Sequence, residues 1–455
     1  MILSGIFRSL TLELLGHEVR RLYDRVADIM TLGVLVGVAF AFFRRLVLRP
    51  KYLRTGADAL FVLTITASLM LSLIGMNIFR LGGAPDLLMG NFPVSGLLYR
   101  ALSIQMDPAT AFAGTEFFYW AHLALVLGFL CYIPNSKHLH ILAAGPNIFF
   151  KHIGTPKAME ITNLEDENAT SFGLNKISDL SWKNTLDLYA CTECGRCEEA
   201  CPADTTGKPL SPARLVHDYK VELFKQRDLL LNKKFDEIPH PVREDSAITE
   251  SVIWSCTSCR ACEEACPVYI EHTNLIFETR KSLVLMESRF PPELQTVFKN
   301  LENNFTPWAF PHDSRADWCA SLGVKQMAEH PNAEVLYYVG CAGSFDDRAK
   351  KVATAIVNLL KKANVDFAIL GKEEKCNGDP ARRAGNEYLA QMLIKENVEI
   401  LNRYKPKKIL TGCPHCFNTL KNEYPQFGAQ YDVVHHTTFL ADLIRDGKQI
   451  GRAHV

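Results

Sequence analysis

The chain has 455 residues, with 50 Lys and Arg balanced by 50 Asp and Glu, so its formal net charge is zero. That balance excludes the basic field expected of a nucleic-acid binder, and the length admits two or three domains. It also hides a division: residues 26–133 are rich in apolar side chains, whereas residues 134–455 carry ordinary charge density.

Three apolar stretches come first, at residues 26–43, 57–79 and 115–133. Each approaches the ~20 residues that cross a hydrocarbon core. Buried core helices are the alternative, but three in succession, the second with Asp58 as its only charge, favour spans. A cleaved leader fits poorly because the segments are internal and repeated. The first connection carries Arg44, Arg45, Arg49, Lys51 and Arg54, the second only Arg80 and Arg100. Positive loops stay inside, so the first connection and everything after Ile133 are expected on the cytoplasmic face of a multi-pass cell-membrane protein. The N-terminal Arg8, Arg20, Arg21 and Arg25 then fall on the other side, against that rule.

His122 lies within the third span, and His138 and His140 follow it. An imidazole at membrane depth is a functional candidate. On one unbroken helix, His122 and His140 would stand about 27 Å apart, so they would serve two different hemes. The bland alternative is a His122 bonded within the bundle and a surface His140. Residues 1–150 resemble the cytochrome b (gamma) subunit of respiratory nitrate reductases, whose last span carries two axial histidines at a similar separation. That resemblance implies heme b at His122 and His140. The opposing histidines of that family come from an earlier span, and the first two spans here contain none.

Of 14 cysteines, eight fall in two nearly identical runs, "CTECGRCEEACP" from Cys191 and "CTSCRACEEACP" from Cys256. Thiolates so closely spaced converge on one small object, and disulfide frameworks belong to small secreted domains. In a C-x2-C-x2-C-x3-C-P run the first three cysteines hold one [4Fe–4S] cluster and the fourth ligates the other. Cys191, Cys194, Cys197 and Cys266 are therefore expected to hold one cluster, and Cys256, Cys259, Cys262 and Cys201 the second. Zinc is the alternative, though it seldom uses four cysteines in so compact a run. The insert between the runs has apolar residues at helical spacing, as in "SPARLVHDYKVELFKQRDLLL". Residues 175–288 thus resemble the helical ferredoxin domain of succinate dehydrogenase and heterodisulfide reductase iron–sulfur subunits.

After a linker rich in Pro, Asn and aromatic residues (290–332), strands and helices alternate. "EVLYYVGC", "DFAIL" and "KKILTGC" read as strands, and residues 346–362 and 384–401 as helices. Alternation implies a parallel sheet covered on both faces, with ligands at the carboxyl ends of its strands. Cys341 and Cys413 fall at two such ends, with Cys376 in a loop and Cys416 in "CPHC". Residues 333–448 resemble the cysteine-rich CCG domain of heterodisulfide reductases and of the glycolate oxidase iron–sulfur subunit. Asn377 stands where the second cysteine of the Cys-Cys-Gly signature would be. Five thiolates hold the noncubane cluster of the disulfide-cleaving type. Four favour a third, ordinary [4Fe–4S] cluster at Cys341, Cys376, Cys413 and Cys416, with unligated cysteines or zinc as alternatives. Cys131 and Cys319 read as small buried hydrophobes. Arg382 and Arg383 are expected to raise the potential of a nearby cluster, to dock an acidic partner, or to lie in a solvated loop.

The fold expected is multidomain: transmembrane α-helices, a helical dicluster domain, then an α/β CCG domain. This order resembles the membrane-bound iron–sulfur proteins related to heterodisulfide reductase and the electron-transfer-flavoprotein:menaquinone oxidoreductase group. The resemblance implies an oxidoreductase linking a cytoplasmic electron-transfer flavoprotein, or another redox subunit, to membrane quinone in the lipid bilayer. Alternatives are a thiol–disulfide reductase subunit and a non-catalytic anchor that relays electrons for a partner dehydrogenase. A redox sensor lacks a DNA-binding signature. Members of that group carry further spans upstream and a second CCG repeat downstream. The last residues, "IGRAHV", match the translation of a common sequencing adapter, so the natural chain is expected to continue past about Lys448, with 449–455 artefactual.

Overall fold

The computed structural model describes residues 17–49, 56–103, 105–152 and 158–448. Arg8, Lys51, Arg54 and the tail 449–455 lie outside them. The chain divides into two compact units, one of residues up to Ile148 with Tyr189–Arg196, the other of Phe149–Leu188 with the residues from Cys197 onward.

The first unit is built on α1 (His17–Phe43), α2 (Ala57–Gly83), a short α3 (Pro93–Ala101) and α4 (Pro108–Tyr132). Among the described residues, three helices are long and apolar enough to cross a membrane: α1 with the π-helical turn that follows it, α2 and α4. α1 begins well before Val26, and α4 begins before Thr115 because Asp107 caps it, accepting from the amides of Ala109 and Thr110 at 3.0 Å. α2 packs closely on α4. The Phe79 ring fills the space a side chain at Gly114 would need and lies 5.6 Å from the Phe118 ring. A carboxylate inside α1 is held in the same way as a cap. Asp28, buried, accepts from Val94 N (2.6 Å), Ser95 N (3.0 Å) and Ser95 Oγ (2.5 Å), so it closes the start of α3. Tyr132 donates to Asp58, tying the end of α4 to the start of α2.

The third span does not run on to His140. The helix stops at Tyr132, two 3-10 turns follow (Ile133–Asn135 and Lys137–Leu139), and α5 (His140–Phe149) begins anew. Pro134, which has no N–H to donate, sits at the break. The 27 Å helical separation expected of His122 and His140 therefore does not apply.

In the second unit, regular structure between residues 158 and 325 is helical among the described residues. Its longer helices are α6 (Pro212–Lys225), α7 (His272–Leu285) and α8 (Pro292–Asn304). A parallel sheet follows, in the order β2 (Phe367–Ala368), β1 (Val335–Tyr338), β3 (Lys408–Thr411), β4 (Val433–His435). Alternate side chains of the strands point to opposite layers. Leu336, Tyr338 and Ile409 meet Ile394, Val398 and Leu401 of α12 (Glu387–Tyr404). Val335, Tyr337 and Leu410 meet Ile356, Val357 and Leu360 of α10 (Asp347–Lys362), with Phe439 and Leu443 of α13 (His436–Arg445). Two short helices, α9 (Gly340–Phe345) and α11 (Asp379–Arg383), carry the loops above the sheet.

The helical and α/β parts share a core. Val284 of α7 and Phe298 and Leu301 of α8 pack with Cys376, Ala381, Leu389 and Leu393. The segment around residue 160 is strapped to the same body. Gln426 bonds both Met159 O (2.9 Å) and Ile161 N (2.8 Å), Gln391 donates to Thr162 O (2.7 Å), and Arg382 donates to Glu160 O (3.1 Å).

Candidate iron–sulfur centres

The two cysteine runs repeat in conformation as well as in sequence. In each, the first cysteine is half-buried, the second exposed, the third and fourth buried. Glu193 and Gly195 in the first run, and Ser258 and Arg260 in the second, take left-handed φ values of 52°, 81°, 61° and 61°. Three of these four are not glycine, and such residues are uncommon there. Positive φ at both spacers turns the chain sharply between successive cysteines. A short helix carries the third cysteine in both runs (Arg196–Glu199 and Ala261–Glu264). Within the second unit, Cys201 lies close enough to Cys256 and Cys262 for their charges to interact. Cys197 is also in charge reach of Cys262, so both buried cysteines of the first run lie near the second. Burial pushes the Cys256 and Cys262 thiols up, and neighbouring thiolates add to the rise at both. Uncompensated thiolates are costly there; iron would supply the compensating charge.

The four C-terminal cysteines come together. Cys341 follows β1, Cys413 follows β3, and Cys376 sits in the loop before α11. β1 connects to β2 on one side while β3 lies on the other, so the loops after β1 and β3 flank the point where the strand order reverses. That is where open α/β sheets bind ligands. All four cysteines line one cavity of about 400 Å³, with Trp308, Asn377, Arg383 and His415 in its wall. Gly340, at φ +77°, makes room: a side chain there would stand 3.0 Å from Cys416 Sγ. Thr257 and Ser258, from within the second cysteine run, line the same cavity.

The thiols are paired. Cys376 is hydrogen-bonded to Cys341, and Cys416 to Cys413. The bond from Cys376, helped by the Arg315 guanidinium, draws the Cys341 thiol down to about 6. Cys413 is drawn to about 6 by the bond from Cys416, with the amides of Cys416 and His415 adding to it. Their partners, Cys376 and Cys416, are raised by the same bonds and by burial. Four sulfurs at one cradle fit a single iron–sulfur cluster by number and chemistry.

Residues outside the cysteine pattern support the cavity's cysteines and loops, and no motif marks them. Arg315, from the linker, donates to Glu374 at 2.9 Å and to Cys341 Sγ at 3.4 Å. His415 Nδ1 bonds Asp379 at 2.9 Å, which raises the imidazole's pKa. Arg382 and Arg383 are not a docking surface or a solvated loop. Arg382 is fully buried between Glu387 (3.2 Å) and Glu423 (2.7 Å), and Arg383 bridges Asp379 (3.0 Å) and Glu423 (2.5 Å). Their charges are spent on neighbouring carboxylates. Asn377 is also buried, and its Oδ1 accepts from Asp379 N at 2.9 Å, an Asx turn that shapes the loop after Cys376. Cys319 is a buried core residue, as expected, whereas Cys131 is exposed on α4 within the first unit. His122 Nδ1 lies 2.8 Å from Ser72 Oγ, and the His138 and His140 rings meet edge to face at 5.4 Å.

These centres define a class: the chain is an iron–sulfur protein joining a dicluster domain to a CCG domain. Residues 187–270 match the 4Fe-4S dicluster domain family and residues 335–421 the cysteine-rich CCG domain family. The chain is similar to the EtfAB:quinone oxidoreductase of Syntrophomonas wolfei, 41% identical over 72% of this chain and 49% of that one. It is similar to the probable iron-sulfur-binding oxidoreductase FadF of Bacillus subtilis, 35% identical over 92% of this chain and 65% of that one. It is also related to a subunit of the dihydromethanophenazine:CoB–CoM heterodisulfide reductase of Methanosarcina barkeri, 29% identical over 58% and 64%. A probable membrane-anchored ferredoxin of Chromohalobacter salexigens is 38% identical over 65% and 46%. This chain spans about half to two thirds of the length of these relatives. No solved structure matches it. Three of these four relatives are named as oxidoreductases or reductase subunits, and their naming agrees with the resemblance drawn from the motifs.

Proposed function

We propose that the chain carries electrons between a soluble flavoprotein donor and membrane quinone through three [4Fe–4S] clusters. Cys191, Cys194, Cys197 and Cys266 hold the first; Cys256, Cys259, Cys262 and Cys201 the second; Cys341, Cys376, Cys413 and Cys416 the third. The observation that carries this reading is the shared cavity wall: Thr257 and Ser258 of the second run stand beside the four C-terminal cysteines. That shared wall supports a second and a third centre close enough for a relay. The clusters supply one-electron chemistry; the protein spaces them, excludes water and fixes the charge around them. Electrons enter at the C-terminal domain and leave toward the helices α1, α2 and α4, which cross the cell membrane with the iron–sulfur domains on the cytoplasmic face. Arg44, Arg45 and Arg49 favour that orientation. Heme b, where bound, would use His122 and His140; the hydrogen bond between His122 Nδ1 and Ser72 Oγ would fix the ring, as such partners do for ligating imidazoles.

Disulfide reduction would need a fifth thiolate, and Asn377 occupies that place with its oxygen already used by Asp379 N. The relay reading is tested on anaerobically purified protein. About twelve irons and no heme are expected, with cluster bleaching on addition of reduced electron-transfer flavoprotein or quinol. About eight irons would remove the third cluster. Unchanged clusters after reduced flavoprotein would sink the donor assignment.

A further inference from the structure

We propose that Arg315 sets the reduction potential of the cluster held by the four C-terminal cysteines, and that Glu374 positions it to do so. Both roles depend on that cluster being present. Arg315 lies outside the cysteine pattern, in the 3-10 stretch His312–Leu322 that precedes the sheet. Its guanidinium is 2% exposed, yet it is charged and hydrogen-bonded on every nitrogen: Nε and Nη2 to Glu374 (3.3 and 2.9 Å), Nη1 to Phe305 O (3.4 Å), and Nη2 to Cys341 Sγ (3.4 Å). Glu374 is equally buried and has no freedom to follow. Its two oxygens also accept the amides of Val339 (2.9 Å) and Gly340 (2.8 Å), the turn that delivers Cys341. One carboxylate therefore fixes both the backbone that presents the sulfur and the cation that touches it.

The physical consequence is directional. A hydrogen bond to a ligating sulfur and a nearby positive charge both favour the more negative, reduced form of a cluster. Burial strengthens the effect because water does not screen it. Arg315 and Glu374 carry opposite charges, and it is Arg315 that bonds Cys341 Sγ, at 3.4 Å. A lysine keeps the charge but not the fork that engages Glu374 and Cys341 together.

The test is potentiometric titration of the full chain, purified anaerobically in detergent and followed by electron paramagnetic resonance. The third midpoint is the one that disappears in Cys413→Ser. In Arg315→Gln that midpoint falls by about tenfold in the oxidised-to-reduced ratio, ~59 mV for one electron, while the other two hold. In Glu374→Gln it rises, and in Arg315→Lys it falls less than in Arg315→Gln. Opposite signs in the two glutamine variants are what a purely structural role would not produce. The proposal is overturned if both leave the midpoint unchanged or move it the same way. Should Arg315→Gln lose the cluster, Glu374→Gln decides alone: a rise upholds the proposal and anything else overturns it. Loss of the cluster from all three variants also overturns it, because the pair is then a requirement for assembly. Wild-type protein with only two midpoints refutes the third cluster itself, a different failure.

Discussion

Arg280 donates a 2.8 Å hydrogen bond to the main-chain carbonyl of Cys256, from a guanidinium buried between the dicluster and CCG parts. The same nitrogen reaches Ile253 O at 2.9 Å, and Nη1 reaches Arg383 O at 3.0 Å. The cation also lies 5.0 Å from the Trp254 ring centre. One side chain thus ties the start of the second cysteine run to the helix after Cys376. Arg280→Met preserves much of the volume but takes a donor from three carbonyls, one buried and two partly buried. Each such loss costs about 1–3 kcal/mol and the sum is not additive, so a loss of about 3 kcal/mol is expected. Thermal unfolding followed at cluster absorbance will show it, with the midpoint lowered and iron content reduced from the second and third centres together. An unchanged midpoint would mean that these bonds are replaced by water.

Much of the chemistry is legible in the sequence because cysteine spacing is set by the cluster rather than by the fold. The two runs and the separated quartet Cys341, Cys376, Cys413 and Cys416 can be read directly. The alternation of strands and helices places Cys341 and Cys413 at strand ends, where they stand. β4 is not legible: Val433–His435 is three residues long, with neither a full alternation nor a buried run to mark it. The break after Tyr132 is masked because hydropathy runs on through Ile133, although Pro134 is an available signal. Arg315 and Glu374 cannot be found by pattern, since a buried ion pair between distant segments exists only once the chain is folded. The same holds for Arg382 and Arg383, which read as free cations until Glu387, Glu423 and Asp379 are seen around them.

Ligand exchange makes a prediction that distinguishes it from two self-contained runs. Cys201 belongs to the first run in sequence but lies in charge reach of Cys256 and Cys262. Cys201→Ser is expected to alter the resonance signal and midpoint of the cluster built by Cys256, Cys259 and Cys262. Cys197→Ser should alter the other. If Cys201→Ser and Cys197→Ser disturb the same signal, the exchange is wrong.

Asn377 has a structural role that its place in the signature conceals. Its Oδ1 accepts the Asp379 amide, and Tyr424 donates its hydroxyl to the Asn377 carbonyl at 3.2 Å. Asn377→Asp keeps the acceptor and Asn377→Ala removes it. The alanine variant should lose about 1 kcal/mol in denaturant unfolding, with its iron content intact. Loss of about four irons from Asn377→Ala would instead make the side chain part of the cluster site.

His272 gives the fold an acid sensitivity separate from cluster chemistry. It opens α7, is 1% exposed, and its Nδ1 sits 3.1 Å from Ile270 O. Burial lowers its pKa from 6.5 to about 4, and the Lys183 charge adds to the fall. Between those values the unfolded chain binds a proton that the folded chain refuses. Stability is therefore full above about 6.5, declines as pH falls, and reaches its lower plateau below about 4. From pH 7 to pH 5 the loss from this one group is about 2 kcal/mol. His272→Gln removes the titration while keeping a polar side chain of similar length. Denaturant unfolding at the two pH values should show a wild-type decline about 2 kcal/mol steeper than that of the variant. Equal declines would mean that His272 titrates in the folded protein as it does in the unfolded chain.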